Sequence, residues 1–429
     1  MPVAGPIIAD LSPSHTASKS ASVLLVTIWE LGEAAGPLLI APLSEVCGRY
    51  PVFNAANLLF IVGVLLTAIS QTTGLLIFAR FMTGCAVASN VLNPSIIGDI
   101  FPPEKRGSAV SLVMLAPLIG GAAGPAIAGA IAQSSGWRQI MYMSLALAIF
   151  CEILFLTFFR ETYKVAILKR RAARLKLDTD DESLKRVFSA SAKQSEGAVW
   201  TAITRPAKVL WSSFVLQILS VYGSVVFSLF YVMSTTLPEI MREKYHLKPA
   251  IVGSSLISFS IGSLLGVVTC DMLIDRIYKR LQRRSGEEKA QPENKLPLVI
   301  VGAFTLPATV ALYGWIAQLH LSPWLLLVSV ILMGFCMITS MVPTMAYVVD
   351  AFGLYSASAT TSVLITRCLM GTFLPLATAP LTDKLGYGMG FVVIAGLCLV
   401  LAPIPVLILK HGRRWRQTSE YTEDETRSG

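Results

Sequence analysis

Long apolar runs alternate with polar breaks along the whole of this sequence. A helix that crosses the hydrocarbon core of a bilayer needs about 20 mainly apolar residues. Runs of that length predict eleven membrane-spanning helices, over 22–44, 53–71, 74–98, 108–133, 137–159, 209–234, 250–274, 296–318, 323–349, 356–381 and 388–410. The pattern therefore predicts an all-α membrane protein whose surroundings are the lipid bilayer.

The composition excludes a soluble protein. Of the 429 residues, 54% are hydrophobic and 14% are charged, and the mean hydropathy is +0.64, whereas soluble domains carry about 25% charged residues. A soluble enzyme and a nucleic-acid-binding protein are thereby excluded. The four histidines are scattered and the seven cysteines lack metal-ligand spacing, so we predict no enzyme active site, no metal and no cofactor.

The positions of the basic residues predict the orientation in the membrane. Most of the 35 Lys and Arg residues lie in the breaks and end segment at 45–52, 99–107, 160–208, 275–295 and 410–429, which we predict to be cytoplasmic. Residues 1–20 are then expected to be external and loosely ordered, with Ser22 beginning the first complete span. This distribution explains the net charge of +9 without a nucleic-acid partner. We expect a multi-pass protein of the cell membrane, with the vacuolar membrane as the alternative.

One pattern occurs twice in the sequence. An Asp-x-Phe junction, a Ser-Ala pair, a proline and a glycine follow one another in the same order over 99–136 and 350–386, with sixteen residues from the alanine to the proline and eleven from the proline to the glycine in both copies. Such repeats predict two pseudo-symmetric helical half-bundles around a central cavity. The predicted divisions are a first half-bundle over 1–159, a cytoplasmic linker over 160–208, a second half-bundle over 209–410 and a cytoplasmic tail over 411–429.

The polar turn after the first predicted span reads APLSEVCGRYP at 41–51. It resembles the loop between the second and third spans of the major facilitator superfamily, in the form found in the fungal drug:proton antiporter branch. Gly48 permits a tight turn, and we expect Glu45, Arg49 and Asp99 to form a charge latch at the cytoplasmic mouth that breaks in another state. An ordinary polar turn is the alternative.

Among the charged residues inside predicted spans, where a charge is a functional candidate, Arg80, Glu30 and Glu33 are the candidates for proton coupling. Arg80 lies in a segment that resembles the R-x-x-x-G motif of the superfamily's fourth span, which implies a part in proton coupling. Glu30 and Glu33 are three residues apart on one helical face, and buried carboxylates can carry protons. The alternatives are an arginine that reaches back to the interface and carboxylates that face water.

Small residues cluster around a proline at 120–129, in the sequence GGAAGPAIAG. This segment resembles the antiporter motif of the superfamily's fifth span, and the resemblance favours export. We expect Gly120, Gly124, Pro125 and Gly129 to permit close helix packing and a bend in the span. Any tightly packed helix pair has a similar composition.

The second half carries further resemblances to the fungal branch, at 293–298, 347–359 and 404–412. Tyr222, Tyr231 and Arg367 are expected to line a substrate cavity, with core packing or helix–helix hydrogen bonding as the alternative. The first span of the family has no counterpart in this sequence, and we expect its absence to bear on transport.

Together these features predict a transporter and not an enzyme. The expected activity is export of a small organic molecule, such as a drug, toxin or secondary metabolite, by alternating access driven by the proton gradient. A monomer is expected, with a small-molecule substrate. One alternative is an importer of a polyamine, sugar or vitamin on the same fold, and the other is a truncated membrane protein that does not transport.

Overall fold

The structure is a computed structural model that describes residues 4–11, 19–87, 89–101, 103–163, 166–168, 203–285, 291–417 and 422. This described part of the chain consists of helices and short turns and contains no strand. Helices are expected because the backbone of a spanning segment must satisfy its own hydrogen bonds where lipid offers no partner. Most of the predicted linker and the distal part of the predicted tail lie outside the described residues.

Short intervals separate most of the helices along the chain. They are α1 (Ala4–Leu11), α2 (Lys19–Cys47), α3 (Arg49–Ile69), α4 (Thr73–Cys85), α5 (Ser89–Ile100), α6 (Pro103–Ser135), α7 (Trp137–Phe158), α8 (Phe214–Glu243), α9 (Pro249–Ser255), α10 (Ile257–Ser285), α11 (Leu296–Gln318), α12 (Pro323–Phe352), α13 (Ser356–Leu401) and α14 (Ile404–Arg416). Within the described residues, eight helical stretches are long and apolar enough to cross a membrane. The all-α fold class is confirmed, and the number of eleven spans stays a prediction.

The predicted span over 74–98 is not one helix. It is divided between α4, which ends at Cys85, and α5, which begins at Ser89. The N–H of Ala86 bonds to the carbonyl groups of Met82 and Gly84, which closes the end of α4. With 13 residues α4 is shorter than a full span. The predicted break between 381 and 388 is, by contrast, a single kink at Gly386 (φ 75°) inside α13.

The chain divides into two compact units. Unit 1 comprises Met1–Thr27, Gly120–Trp137 and Pro206–Gly429, and unit 2 comprises Ile28–Ile119 and Arg138–Arg205. Unit 1 thus combines two segments of the predicted first half with the predicted second half. The division into two half-bundles stays a prediction.

Unit 1 has an extended hydrophobic core to which α8, α11, α12 and α13 contribute. Tyr313 on α11 is fully buried, and its hydroxyl shares a hydrogen bond of 3.1 Å with Thr236 on α8. The Tyr313 ring packs edge-to-face on Phe391 of α13, at 4.9 Å between ring centroids. The buried phenol therefore has the polar partner that it needs in an apolar interior.

In unit 2 the backbones of α2 and α4 approach closely at two glycines. A Cβ atom on Gly84 would overlap the carbonyl oxygen of Trp29, and one on Gly32 would overlap the carbonyl oxygen of Phe81. Small residues permit this kind of contact, on which helix association in lipid depends. The contact fixes the crossing point of α2 and α4.

Gly84→Ala is expected to lower the free energy of unfolding by about 1–3 kcal/mol, because the added methyl group forces α2 and α4 apart. The measurement is the unfolding midpoint of the purified protein in detergent. Gly74→Ala is the matched control, since nothing lies within 4 Å of its Cβ position and alanine favours a helix over glycine. Equal midpoints for the two variants would contradict the backbone contact.

Candidate functional site

A glycine and a carboxylate together form the turn between α2 and α3. Gly48 has φ 100°, a conformation that L side chains rarely adopt. Glu161, in the segment that follows α7, accepts hydrogen bonds from the N–H groups of Arg49 (2.9 Å) and Tyr50 (3.3 Å). These N–H groups begin α3 and have no partner within the helix, and a negative charge is favourable there. A side chain at position 48 would collide with the Glu161 carboxylate.

Arg49 is buried at the centre of this site. Its Nε donates to Oδ2 of Asp99 at the end of α5, over 3.4 Å. The guanidinium also donates to the Ser44 hydroxyl on α2 and lies over the Tyr163 ring, 4.9 Å from the ring centroid. The structure therefore brings Arg49 and Asp99 together, as the sequence predicts, and adds two contacts from other segments. Relative movement of these segments would have to break this network.

Sequence reasoning missed Glu161 and Tyr163. Both lie directly after the predicted span 137–159, on the side predicted to hold the Gly48 turn, and that shared side was the available signal. Glu45 was predicted as a member of the latch, and its side chain lies outside the described part of the structure.

A related ion pair occurs in unit 1 at the second copy of the repeat. Asp350 occupies the position that Asp99 has in the first copy. The Lys295 Nζ lies 2.6 Å from its Oδ2 and 5.7 Å from the centroid of the Tyr278 ring. Each Asp-x-Phe junction thus binds a cation at the start of a neighbouring helix.

The carboxylates predicted for proton coupling are both buried. Glu30 and Glu33 on α2 are 0% and 3% exposed. Arg80 is half-buried on α4. The close contact between Gly32 and Phe81 lies one residue from Glu33 on α2 and one residue from Arg80 on α4. Glu33 and Arg80 are therefore sequence neighbours of the two residues at which α2 and α4 cross.

The glycine-rich segment of α6 is only partly a packing surface. A Cβ on Gly129 would lie 2.5 Å from the carbonyl oxygen of Pro249, and one on Gly253 of α9 would overlap the carbonyl oxygen of Pro125. No described atom lies within 4 Å of a Cβ built at Gly120 or at Gly124. Close backbone contacts are therefore present at Pro125 and Gly129, and no described atom makes such a contact at Gly120 or Gly124, for which close packing stays a prediction.

The three residues predicted to line a cavity have different surroundings in the structure. Tyr222 is 1% exposed and belongs to the hydrophobic core of unit 1, and its place in a substrate cavity stays a prediction. Tyr231 is half-buried, and its ring centroid lies 5.7 Å from that of Phe227, one turn earlier on α8. The guanidinium of Arg367 lies over the same Phe227 ring, at 4.4 Å. Phe227 thus contacts both Tyr231 and Arg367. Phe227 was not predicted from the sequence.

Another buried carboxylate escaped the sequence analysis. Glu152 on α7 is 4% exposed, and its Oε2 accepts a hydrogen bond of 2.6 Å from the side-chain amide of Asn57 on α3. Stacked rings of Phe53 and Phe155, 4.5 Å apart, pack between the same two helices. The sequence signal for this buried carboxylate was a single glutamate within an apolar run.

Comparisons with known proteins agree on one family. The family model for the Major Facilitator Superfamily matches residues 3–375. The efflux pump radE of Floropilus chiversii is 32% identical over 409 residues, covering 95% of this chain and 76% of the relative. The MFS transporter cpaT of Aspergillus oryzae is 31% identical over 421 residues, covering 98% and 84%.

Solved structures share the fold. The xylose transporter XylE from E. coli, in a partially occluded inward-open conformation, superimposes with a TM-score of 0.64 at 17% identity, covering 95% of this chain and 93% of that chain. The human organic anion transporter MFSD10 gives a TM-score of 0.60 at 17% identity, covering 90% and 84%.

Arg49→Lys is expected to lower the free energy of unfolding by about 1–3 kcal/mol, because one ammonium group cannot replace a planar guanidinium that binds Asp99 and Ser44 at once. Unfolding midpoints in detergent measure the effect, with the exposed Arg280→Lys as the matched control. A double-mutant cycle with Asp99→Asn should show coupling between the two positions. Strict additivity of the two substitutions would rule out a direct ion pair.

Proposed function

The chain belongs to the major facilitator superfamily, and from that premise we propose that it exports a small organic molecule in exchange for protons. Members of this superfamily are membrane transporters and not enzymes. The expected substrates are drugs, toxins or secondary metabolites of modest polarity. Relatives named as an efflux pump and as MFS transporters support export, as does the close packing of Pro125 and Gly129 in the segment that resembles the antiporter motif.

The Arg49 network is proposed to latch one state of the transport cycle. Arg49 and Asp99 come from different helices, and Glu161 holds the start of α3 from a third segment. Gly48 lets the chain turn tightly enough for these contacts to form. Alternating access requires such an interface to exchange between two packed arrangements. Glu45 stays a proposed member of the latch on its position in the sequence.

We propose that Glu33 takes up and releases the coupled proton, and that Glu30 and Arg80 take part in this coupling. The observation that carries this proposal is the burial of both carboxylates on α2, next to the helix crossing that also carries Arg80. Arginine keeps its proton, so it cannot carry one itself. It can stabilise the ionised form of a nearby carboxylate, and protonation of that carboxylate then releases it.

Substrate contact is proposed for Tyr231 and Arg367, together with Phe227. Two neighbouring aromatic rings and a guanidinium offer an apolar organic molecule a surface for stacking and one polar anchor. Phe227 and Tyr231 are half-buried, unlike the enclosed Tyr222. An importer on the same fold remains the second candidate, because the solved structures include a xylose transporter.

The proposed setting is a cell membrane, with the C-terminus in the cytoplasm and the chain acting as a monomer. The distribution of Lys and Arg residues supports this orientation. Under the same orientation the Arg49 network lies at the cytoplasmic end of α2, and Lys19 lies at its external end.

Glu33→Gln and Arg80→Lys are expected to remove the dependence of transport on the pH gradient, because the first variant cannot ionise and the second replaces the planar guanidinium with an ammonium group of different geometry that can lose its proton. The assay is efflux from proteoliposomes of a panel of apolar dyes and fungal metabolites, with and without an imposed pH gradient. Glu152→Gln is the matched control, since it neutralises a buried carboxylate on a different helix.

Retention of wild-type pH dependence by both variants would show that neither residue couples protons. If Glu152→Gln also loses pH dependence, neutralising a buried carboxylate has this effect on any helix, and the carboxylates of α2 have no special part in it. Transport of the panel into the vesicles against the expected direction would favour the importer.

A further inference from the structure

A short helix lies directly before α8 in unit 1. Residues 206–212 are helical, and one residue separates them from the start of α8 at Phe214. Val209 is fully buried in the hydrophobic core of unit 1. The carbonyl group of Pro206 accepts a hydrogen bond of 2.7 Å from the Ser362 hydroxyl on α13. One face of this segment, which we call the juxtamembrane helix, is therefore packed against unit 1.

The end of the juxtamembrane helix is bonded to α8. The side-chain amide of Gln217 donates hydrogen bonds to the carbonyl groups of Leu210 (3.1 Å) and Trp211 (2.9 Å). The last carbonyl groups of a helix have no partner within the helix, so Gln217 supplies one from the first turn of α8. The position of Trp211 relative to α8 is thereby defined.

The opposite face of the juxtamembrane helix carries a cation and an aromatic ring. Lys208 and Trp211 are three residues apart, which places them on one side of the helix, and both are exposed. Trp211 is 86% exposed, the largest exposed fraction of any large apolar side chain in the described part of the chain. Tryptophan is enriched at the interface between membrane and water, and the adjoining α8 is long and apolar enough to span a membrane.

α14 packs beside the start of α8 through aromatic rings. The Phe214 ring lies edge-to-face on Trp415 of α14, at 5.2 Å between centroids, and Trp415 in turn stacks on His411 at 5.6 Å. The buried Arg416 of the same helix binds Glu293 through two hydrogen bonds. The basic residues on the exposed side of α14 therefore lie next to the start of α8.

These two helices bring positive charge to one end of unit 1. Lys410 and Arg414 are exposed and four residues apart on α14, and Lys208 adds a third cation. No carboxylate in the described part of the chain forms an ion pair with any of the three. The segments 206–217 and 404–417 contain neither Asp nor Glu. Lys208, Lys410, Arg414 and the exposed rings of Trp211 and Phe214 are called the basic aromatic surface below.

We propose that the basic aromatic surface binds the headgroup of an anionic phospholipid. The three cations complement the headgroup charge, and the exposed rings of Trp211 and Phe214 lie at the boundary between headgroups and acyl chains. A soluble anion would match the charge and leave both rings in water. The inference goes beyond the proposed export and rests on it only for orientation. Under that orientation the surface meets the cytoplasmic leaflet, where anionic lipids concentrate.

The test uses the fluorescence of Trp211 in the full chain, reconstituted into phosphatidylcholine vesicles. A minor part of the lipid is brominated phosphatidylserine or, in a parallel sample, brominated phosphatidylcholine, because bromine quenches a tryptophan that it touches. The difference between the chain and Trp211→Phe isolates the signal of Trp211. The relative association constant at Trp211 is expected to favour phosphatidylserine at least about fivefold. This preference should decrease as salt is added.

Charge variants show which cations hold the headgroup. Lys208→Gln and Arg414→Gln are each expected to lower the preference for phosphatidylserine at Trp211 about fivefold, because each removes one cation near the headgroup. Both side chains are exposed, so the variants keep the fold. Lys244→Gln is the matched control, because it removes an exposed cation at the other end of α8 and should leave the preference unchanged.

Trp324 is the matched control for the reporter. It is 76% exposed at the start of α12. The start of α12 meets the far end of α8, where the Tyr245 hydroxyl donates a hydrogen bond of 2.5 Å to the carbonyl of Leu321. The segment 316–329 contains no charged residue at neutral pH. The signal isolated with Trp324→Phe should therefore be quenched equally by the two brominated lipids.

Equal quenching of Trp211 by the two lipids would overturn the proposed site, and so would an unchanged preference in both charge variants. Loss of the preference on adding inorganic phosphate at the same concentration as the headgroup would show a site for small anions instead. A preference that appears only after Glu423→Gln, Asp424→Asn and Glu425→Gln would show that the acidic end of the chain occupies the surface, and would also refute the proposal.

Both leaflets of these vesicles have the same composition, so the result depends neither on the orientation of the chain nor on transport. A chain that exports none of the panel but retains the preference for phosphatidylserine would refute the proposed function and leave the lipid site standing. A chain that exports the panel but quenches equally with both lipids would do the reverse.

Discussion

Charged groups that leave water inside a membrane protein must find a partner in the protein, because lipid supplies none. The structure meets this constraint at the ends of its helices. Arg49 binds Asp99 in unit 2, and in unit 1 Glu293 accepts two hydrogen bonds from Arg416, of 2.9 and 3.0 Å. Such buried pairs contribute little net stability, but loss of one partner leaves an uncompensated charge. They therefore specify how helix ends meet.

Between these ends the helices are held by contacts that involve no charge. The backbone of α2 meets that of α4 at Gly84, and α6 meets α9 at Gly129. Lipid gives apolar helices no hydrophobic reason to associate, so close approach of small residues supplies the packing energy. Glycine contacts respond neither to pH nor to salt, whereas ionic contacts at helix ends can break and form again. A transporter that alternates between two states benefits from both kinds.

Membership of the superfamily accounts for the architecture and leaves selectivity to individual side chains. Structures with the same fold include a xylose transporter and an organic anion transporter, each 17% identical to this chain. One fold therefore supports unrelated substrates. In this chain the residues proposed to contact substrate, Phe227, Tyr231 and Arg367, form a half-buried group of two aromatic rings and one guanidinium.

The sequence by itself determined the fold class, because a run of 20 apolar residues is a local property, and it paired Arg49 with Asp99 through a recognisable motif. It did not reveal Glu161, which lies 112 residues from Arg49, or the bond from Lys19 to Asp383 across 364 residues. For contacts over such separations a single sequence offers at most the shared side of the membrane, which does not identify the partner. The sequence also did not show whether Tyr222 faces lipid or the protein core. Both surroundings are apolar, so a spanning helix lacks the polar and apolar faces that reveal orientation in a soluble protein. Only the packing of the helices decided these positions.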